Sequence, residues 1–395
     1  MEIKARLGDT FWYYSRLFMI PLNIMVDSNP SINPNNITNG QKVNIPGFTT
    51  QRIVLKKGDT LWKIAGARNI SVDSILLLNQ QINPNQLKIG DHILVPTRII
   101  AKLVNGKKQY DYRTLQEDIN KLQANYPFIK INTIGESVLG HAIQEIRLGR
   151  GNKKVHINAS FHANEWITTP ILMSYLNDYL LALTNNTNIK GVKIAPLYQS
   201  IDLSIVPMVN PDGVNLVLNG PPESERERVL AINGGSTDFT GWKANIRGVD
   251  LNNQFPAKWE VEKERKKPKS PAPRDYPGEA PLSEPESKIM AQLAKRENFQ
   301  RMLAFHTQGK EFYWGYEGLE PKESQAIANE FARVSGYEAI QYVDSYAGYK
   351  DWFIQDFRKP GFTIELGKGI NPLPLSQFDE IYRDVLGIFL ASLYM

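Results

Sequence analysis

There is no cysteine anywhere in this chain of 395 residues. Disulfides, thiol nucleophiles and thiolate metal sites are therefore excluded, and any bound metal must rest on His, Asp or Glu. Histidine is scarce as well: only His92, His141, His156, His162 and His306 are present. Charge of one sign is hardly in excess, since 46 Lys+Arg against 41 Asp+Glu leaves +5. That bias is too weak to argue for a nucleic-acid partner. No apolar run approaches the roughly 18 residues of a membrane span. The opening MEIKARLGDT lacks the apolar core of a secretion signal. The expectation is a globular chain kept in the cytoplasm, with no membrane span and no nucleic acid, and with room for more than one domain. The composition is compatible with an oligomer.

What is present begins with a repeat. Gly8-Asp9-Thr10 returns fifty residues later as Gly58-Asp59-Thr60, Trp12 as Trp62, Ile20 as Ile70 and Asn29 as Asn79. The tetrapeptide INPN at 32–35 returns at 82–85, and Gly40 and Pro46 return as Gly90 and Pro96. A register without gaps marks a tandem module. In the second copy, Ile53-Val54-Leu55 reads as a short strand, and Asp59 or Thr60 can cap a helix over 61–67. Ser71 can cap a second helix to Asn79, NPN is a turn, and HILVP closes with a strand. Each copy is thus a small βααβ unit. Residues 98–110 read as a linker running into the first strand of the next domain.

From about residue 100, strands and helices alternate, which predicts an α/β domain around a mixed sheet. Residues 154–161, 201–209, 301–305 and 361–366 read as strands. Helices are expected over 114–127, 168–184 (with Pro170 in its first turn), the ESQAIANEFARVSG stretch and the closing segment. Ser283 and Glu286 are spaced as a capping box. Such sheets carry their chemistry at the carboxyl ends of strands. His162 and His306 each stand just past an apolar strand, as does Glu365 in GFTIEL. Three ionisable groups then leave one end of one sheet. His162 and Glu165 are three apart in SFHANEW and can converge on one ion, with His306 completing the set. Two His, one Glu and a water form the donor set of a catalytic zinc site. A carboxylate nearby, for which Glu365 is the candidate, would take the proton of the water and pass it to the leaving amine. His156 lies inside a strand and is expected to pack or pair there. The basic, then proline-rich stretch 258–279 reads as a solvated loop beside the active site.

These residues resemble two families. Both repeats, with G-D-T, N-P and G-x-x-[IV]-x-[IV]-P, are similar to LysM domains, which bind glycans containing N-acetylglucosamine. Copy one departs from the pattern in its aromatic run Phe11-Trp12-Tyr13-Tyr14. Residues 110–395 resemble the zinc carboxypeptidase A superfamily through SFHANEW, VPMVNPDGV, GVDLNNQFP, YPGEAPLSEPES, FHTQG and FTIEL. The resemblance implies LysM repeats at 1–48 and 49–98 and a zinc carboxypeptidase-like domain at 99–395. It implies one zinc ion on His162, Glu165 and His306, with Glu365 as general base. It also implies Lys243 as the group that polarises the scissile carbonyl. Tyr346 would cover the substrate, with Tyr349 as the alternative. Asn252, Asn253 and Arg247 would bind substrate, with Arg274 a further nearby charge.

The departures are informative. Where the family has arginines that grip a free α-carboxylate, this chain has Asn164 and Asn253. An ordinary peptide C-terminus should bind poorly. Joined to the repeats, the altered pocket resembles that of peptidases from spore-forming bacteria that cut between γ-D-glutamate and diaminopimelate in peptidoglycan stem peptides. Such an enzyme would act on the spore wall or on recycled wall peptides. An ordinary metallocarboxypeptidase and a non-catalytic glycan-binding protein are the alternatives.

Overall fold

The computed structural model describes all 395 residues. The chain divides into two compact units: residues 1–103 with 118–130 and 177–195, and residues 104–117, 131–176 and 196–395. No helix is long and apolar enough to cross a membrane.

The first unit holds both repeats. In copy one, β1 (Glu2–Lys4) pairs antiparallel with β2 (Lys42–Asn44) around α1 (Phe11–Leu17) and α2 (Leu22–Asp27). In copy two, β3 (Phe48–Val54) pairs with β4 (His92–Arg98) around α3 (Leu61–Ala67) and α4 (Val72–Leu78). The repeated residues do repeated work. Thr10 and Thr60 accept hydrogen bonds from Tyr13 N at 3.0 Å and Lys63 N at 3.1 Å, each capping a first helix. Asn29 and Asn79 tie the second helix to the closing strand: each amide donates back to its helix and across to the strand, and each oxygen accepts a strand N–H. Buried backbone groups that no ladder reaches are thereby satisfied.

Copy one departs where the two copies meet. The Arg6 guanidinium forks onto Asp73 at 2.7 Å through both terminal nitrogens. The Tyr13 hydroxyl also donates to Asp73, and buried Tyr14 donates to Asp9 at 2.8 Å. Of the extra aromatics, Tyr13 therefore joins the two repeats and Tyr14 braces copy one. Residues 99–110 carry no strand and lead into helix α5 (Tyr112–Asn125), not into the first strand of a sheet as expected. Lys121, on that helix, donates to Leu103 O, giving the linker a helical partner instead of a strand.

Beyond α5 the elements are, in chain order, β5 (Lys130–Glu136), β6 (Ala142–Gly149), β7 (Lys153–Ala159), α6 (Thr168–Asn185), the small hairpin β8 (Asn188–Ile189) and β9 (Val192–Lys193), α7 (Ile194–Ser200), β10 (Ile201–Val206), α8 (Pro211–Asn219), α9 (Arg226–Ile232), α10 (Trp259–Arg265), α11 (Pro285–Glu297), β11 (Arg301–Thr307), β12 (Glu311–Tyr313), α12 (Glu323–Ser335), β13 (Glu338–Ile340), α13 (Tyr349–Phe357), β14 (Gly361–Leu366) and α14 (Phe378–Tyr394); the hairpin and the end of α6 fall in the first unit, and an eight-stranded sheet organises the second. The sheet order is β13-β12-β14-β11-β7-β10-β6-β5. Its centre, β14-β11-β7-β10, is parallel, and β6 and β12 flank it antiparallel, so the sheet is mixed. Every residue of β11 is buried, as expected for a parallel strand covered on both faces.

The capping box is not formed. Helix α11 begins at Pro285 with no side-chain cap, because Ser283 turns to Gln254 Oε1 at 3.1 Å and Glu286 is drawn inward by Asn245 and the Val138 N–H. His156 pairs inside its strand: Nδ1 lies 3.0 Å from Ser204 Oγ, and the ring stacks on Phe299 at 4.7 Å.

Candidate metal centre

Strands β7, β11 and β14 are adjacent and parallel, and His162, His306 and Glu365 come from their carboxyl ends. His306 and Glu365 are register partners. Past β7 the chain reverses at Ser160, whose φ of 50° is left-handed. Ser160 N donates to Thr168 Oγ1 at 3.0 Å, and Thr168 donates to Glu165 O at 2.8 Å. That closed turn fixes the short 3₁₀ segment Ala163–Glu165. Asn210, which caps α8, donates to Phe161 O and to Ala244 O, both at 3.1 Å. The stretch holding His162 and the stretch holding Lys243 are thus tied by one amide.

Nitrogen and oxygen atoms of His162, Glu165 and His306 lie within 4.8 Å of one another, all three residues buried. His162 Nδ1 is 2.8 Å from Glu165 Oε1, and His306 Nδ1 is 3.0 Å from Glu165 Oε2. The two Nδ1 atoms face each other at 3.1 Å. Both rings thus turn a nitrogen toward the Glu165 carboxylate and toward each other, so three potential ligand atoms converge on one point. The set is two nitrogens and a carboxylate, which suits zinc. Asp250 Oδ1 sits 3.2 Å from His162 Nε2. A carboxylate on the outer nitrogen fixes the ring of a metal-binding histidine.

Burial opposes a charge on His162, but the Glu165 and Asp250 carboxylates outweigh it and hold the imidazolium at about 9. Burial likewise opposes the Asp250 carboxylate, and the facing His162 and Lys243 reverse this and keep it well below the usual range. Lys243 Nζ lies 3.9 Å from Glu165 Oε1. Against desolvation, the carboxylates of Glu165, Asp250 and Glu365 keep it cationic. Desolvation at the cavity wall, then the charge of Glu165, push the Glu365 carboxyl up to about 8.

These groups open onto a cavity of about 190 Å³ lined by His162, Lys243, Asn252, Asn253 and Glu365 among others. Two of the residues expected at the substrate stand off its wall. Arg247 does not line it: Asn245 Oδ1 accepts from both Arg247 N and Val249 N, and this tight turn sends the guanidinium to Glu284, 3.6 Å away, in a different cavity. Tyr346 does not line it either. Its ring lies under Lys258 and Arg265, at 5.0 and 5.2 Å, in a neighbouring groove. Tyr349 is fully buried and its N–H is held by Asn252 Oδ1 at 3.1 Å. The tyrosine on the wall is Tyr313, donating to Glu311.

The cations on the wall are Lys243, Lys266 and Lys350, with no arginine among the lining residues. Sequence reasoning missed Lys266, Lys350, Tyr313 and the role of Asp250. Lys266 sits within the basic stretch read as a solvated loop, and its Nζ lies 3.4 Å from both Glu262 and Asp275.

Residues 115–386 match the zinc carboxypeptidase family, and residues 53–96, the second repeat, match the LysM domain. The chain is 62% identical to Gamma-D-glutamyl-L-diamino acid endopeptidase 1 of Lysinibacillus sphaericus over 100% of both chains. It is 48% identical to the YqgT protein of Bacillus subtilis (strain 168), over 74% of this chain and 79% of that one. Among solved structures, bovine thrombin-activatable fibrinolysis inhibitor, in complex with tick carboxypeptidase inhibitor, is similar with a TM-score of 0.58 at 19% identity, covering 73% of this chain and 97% of that chain. That likeness shows the fold.

Proposed function

The chain belongs to the zinc carboxypeptidase family, and from that premise we propose that it hydrolyses the amide between γ-D-glutamate and diaminopimelate in peptidoglycan stem peptides. It is a zinc metallopeptidase, and its amino-terminal repeats bind the GlcNAc-containing glycan that carries those peptides. The observation that carries the reading is the convergence of His162, Glu165 and His306 beside Glu365 on three adjacent strand ends. The whole-length likeness to an endopeptidase whose name specifies a γ-D-glutamyl-L-diamino acid bond supports the substrate.

His162 and His306, through Nδ1, and Glu165 would hold the metal. Bound zinc supplies a polarised carbonyl and a water whose pKa falls to about 7. Asp250 keeps the His162 ring in place. Glu365 takes the proton of the attacking water and returns it to the leaving amine. Burial raises its proton affinity, which suits a group that must take up a proton before returning it. Lys243 places a positive charge where the carbonyl oxygen gains negative charge. We place the enzyme at the spore wall or among recycled wall peptides, and assign the domains as 1–48, 49–98 and 99–395.

Mass spectrometry of L-Ala-γ-D-Glu-meso-diaminopimelate incubated with the zinc-loaded protein tests the reading. Free diaminopimelate should appear, vanish with a chelator and return with zinc. An intact peptide in the presence of bound zinc would overturn the assigned bond.

A further inference from the structure

The two repeats differ at matched positions, and the differences fall on the flank of each first helix. Trp12 and Trp62 hold the same place on α1 and α3 and are 63% and 77% exposed. One turn on, at i+4 on the same helix face, copy one has Arg16, whose guanidinium lies 5.9 Å from the centre of the Trp12 ring. Copy two has Gly66 there, so no side chain at that place covers the Trp62 indole. Folding does not ask for this glycine. Its φ is not left-handed, and a Cβ built on it would meet nothing within 4 Å, whereas alanine makes the better helix. The neighbouring residues divide in the same way. Arg6 and Tyr13 of copy one are both engaged by Asp73 of copy two. Lys63, the counterpart of Tyr13, donates to Gly58 O within its own repeat at 2.8 Å.

We propose that the second repeat is the one that reads the glycan, with a pyranose ring stacked on the bare face of Trp62, and that the first repeat has become its brace. An indole presents a broad face of partial negative charge. In a β-linked N-acetylglucosamine unit every ring substituent is equatorial. Both faces of the sugar ring therefore present C–H groups that suit the indole, while the hydroxyls and the amide point outward to water. Over Trp12 the same space is filled by the Arg16 cation, which is held there by its attraction to the ring and leaves a sugar no seat on that face. The residues that match the LysM domain, 53–96, are those of copy two. The inference rests on the proposed reading that the repeats bind glycan, and narrows it to one of them.

The test is isothermal titration of the full chain with β-1,4-linked tetra-N-acetylglucosamine. The wild-type protein should bind a single tetramer per chain. Trp62→Ala should weaken binding roughly tenfold or more, and Trp12→Ala by less than about twofold. Gly66→Arg gives copy two the side chain of copy one. It should weaken binding as much as Trp62→Ala while the melting temperature holds or rises, a combination that no folding defect produces. Wild-type affinity in either Trp62→Ala or Gly66→Arg overturns the inference. So does equal weakening by Trp12→Ala, or binding of a second tetramer per chain. A wild-type chain that binds no tetramer overturns the inference together with the glycan part of the proposed function. Hydrolysis of L-Ala-γ-D-Glu-meso-diaminopimelate, which carries no sugar, tests the assigned bond separately and should be unchanged in all three variants.

Discussion

The catalytic unit holds two histidine–carboxylate clusters, and they are built to opposite ends. Around Asp212, every contact is a donor meeting an acceptor: Ser137 Oγ at 2.8 Å, Leu139 N at 2.9 Å and His141 Nδ1 at 2.6 Å. One carboxylate closes a turn between β5 and β6 and is satisfied by it. Around Glu165, two imidazole nitrogens face each other and the carboxylate at about hydrogen-bond distance, and His306 Nε2 has no partner. Three ligand atoms converge there on one point, and one buried ring nitrogen is left over. A cluster that satisfies itself holds the fold, while one that converges two ring nitrogens and a carboxylate on one point is built to hold a cation.

The sharpest way to break this distinction is His306→Ala. Zinc content by elemental analysis should fall to background and peptide cleavage with it, while the same change at His141 should leave both in place. Next comes Glu365→Gln. Turnover should drop roughly 10²–10⁴-fold with zinc still bound at one per chain, as expected for loss of a general acid–base. Near-normal rates would remove Glu365 from the mechanism.

Asp212→Ala reverses the pattern. Thermal unfolding should reveal a loss of about 2–3 kcal/mol, since buried donors are left without their acceptor, with zinc content unchanged. Asp250→Asn should have a smaller and different effect, weakening zinc affinity roughly 10–100-fold in a chelator competition with little change in melting.

The smallest expected effect is on pH dependence. Burial, then the charge of Asp212, raise the Glu286 carboxyl to about 7. The folded state therefore binds the proton more tightly than the unfolded chain does. Its contribution to stability is complete below the ordinary carboxylate pKa of about 4.3 and is lost as pH rises through about 7. Melting curves of Glu286→Gln across that window should lack this part of the slope. An unchanged slope would mean the group titrates normally.

The two repeats repeat this lesson on a smaller scale. Asn29 and Asn79 make the same bonds fifty residues apart, and both were visible as a repeat. Arg6 was not visible as anything, because its partner Asp73 lies 67 residues away. The same split runs through the catalytic site. His162 with Glu165, His306 and Glu365 were readable because each follows an apolar strand, and parallel strands deliver their ends to one edge of a sheet. Arg247 and Tyr346 stand off the cavity wall because local turns and ring contacts, not sequence proximity, set where they point.

By itself, then, the sequence determined the tandem modules, the mixed α/β sheet, the absence of thiol chemistry and the metal donors, because all of these are matters of composition, period and strand-end position. Tertiary structure alone decided which charges line the cavity. Lys266 from the end of α10, Tyr313 from β12 and Lys350 from α13 meet His162 only after loops and helices far apart in the chain have packed. No local pattern encodes that meeting, since it depends on the closing of the fold and on which side chains packing turns inward.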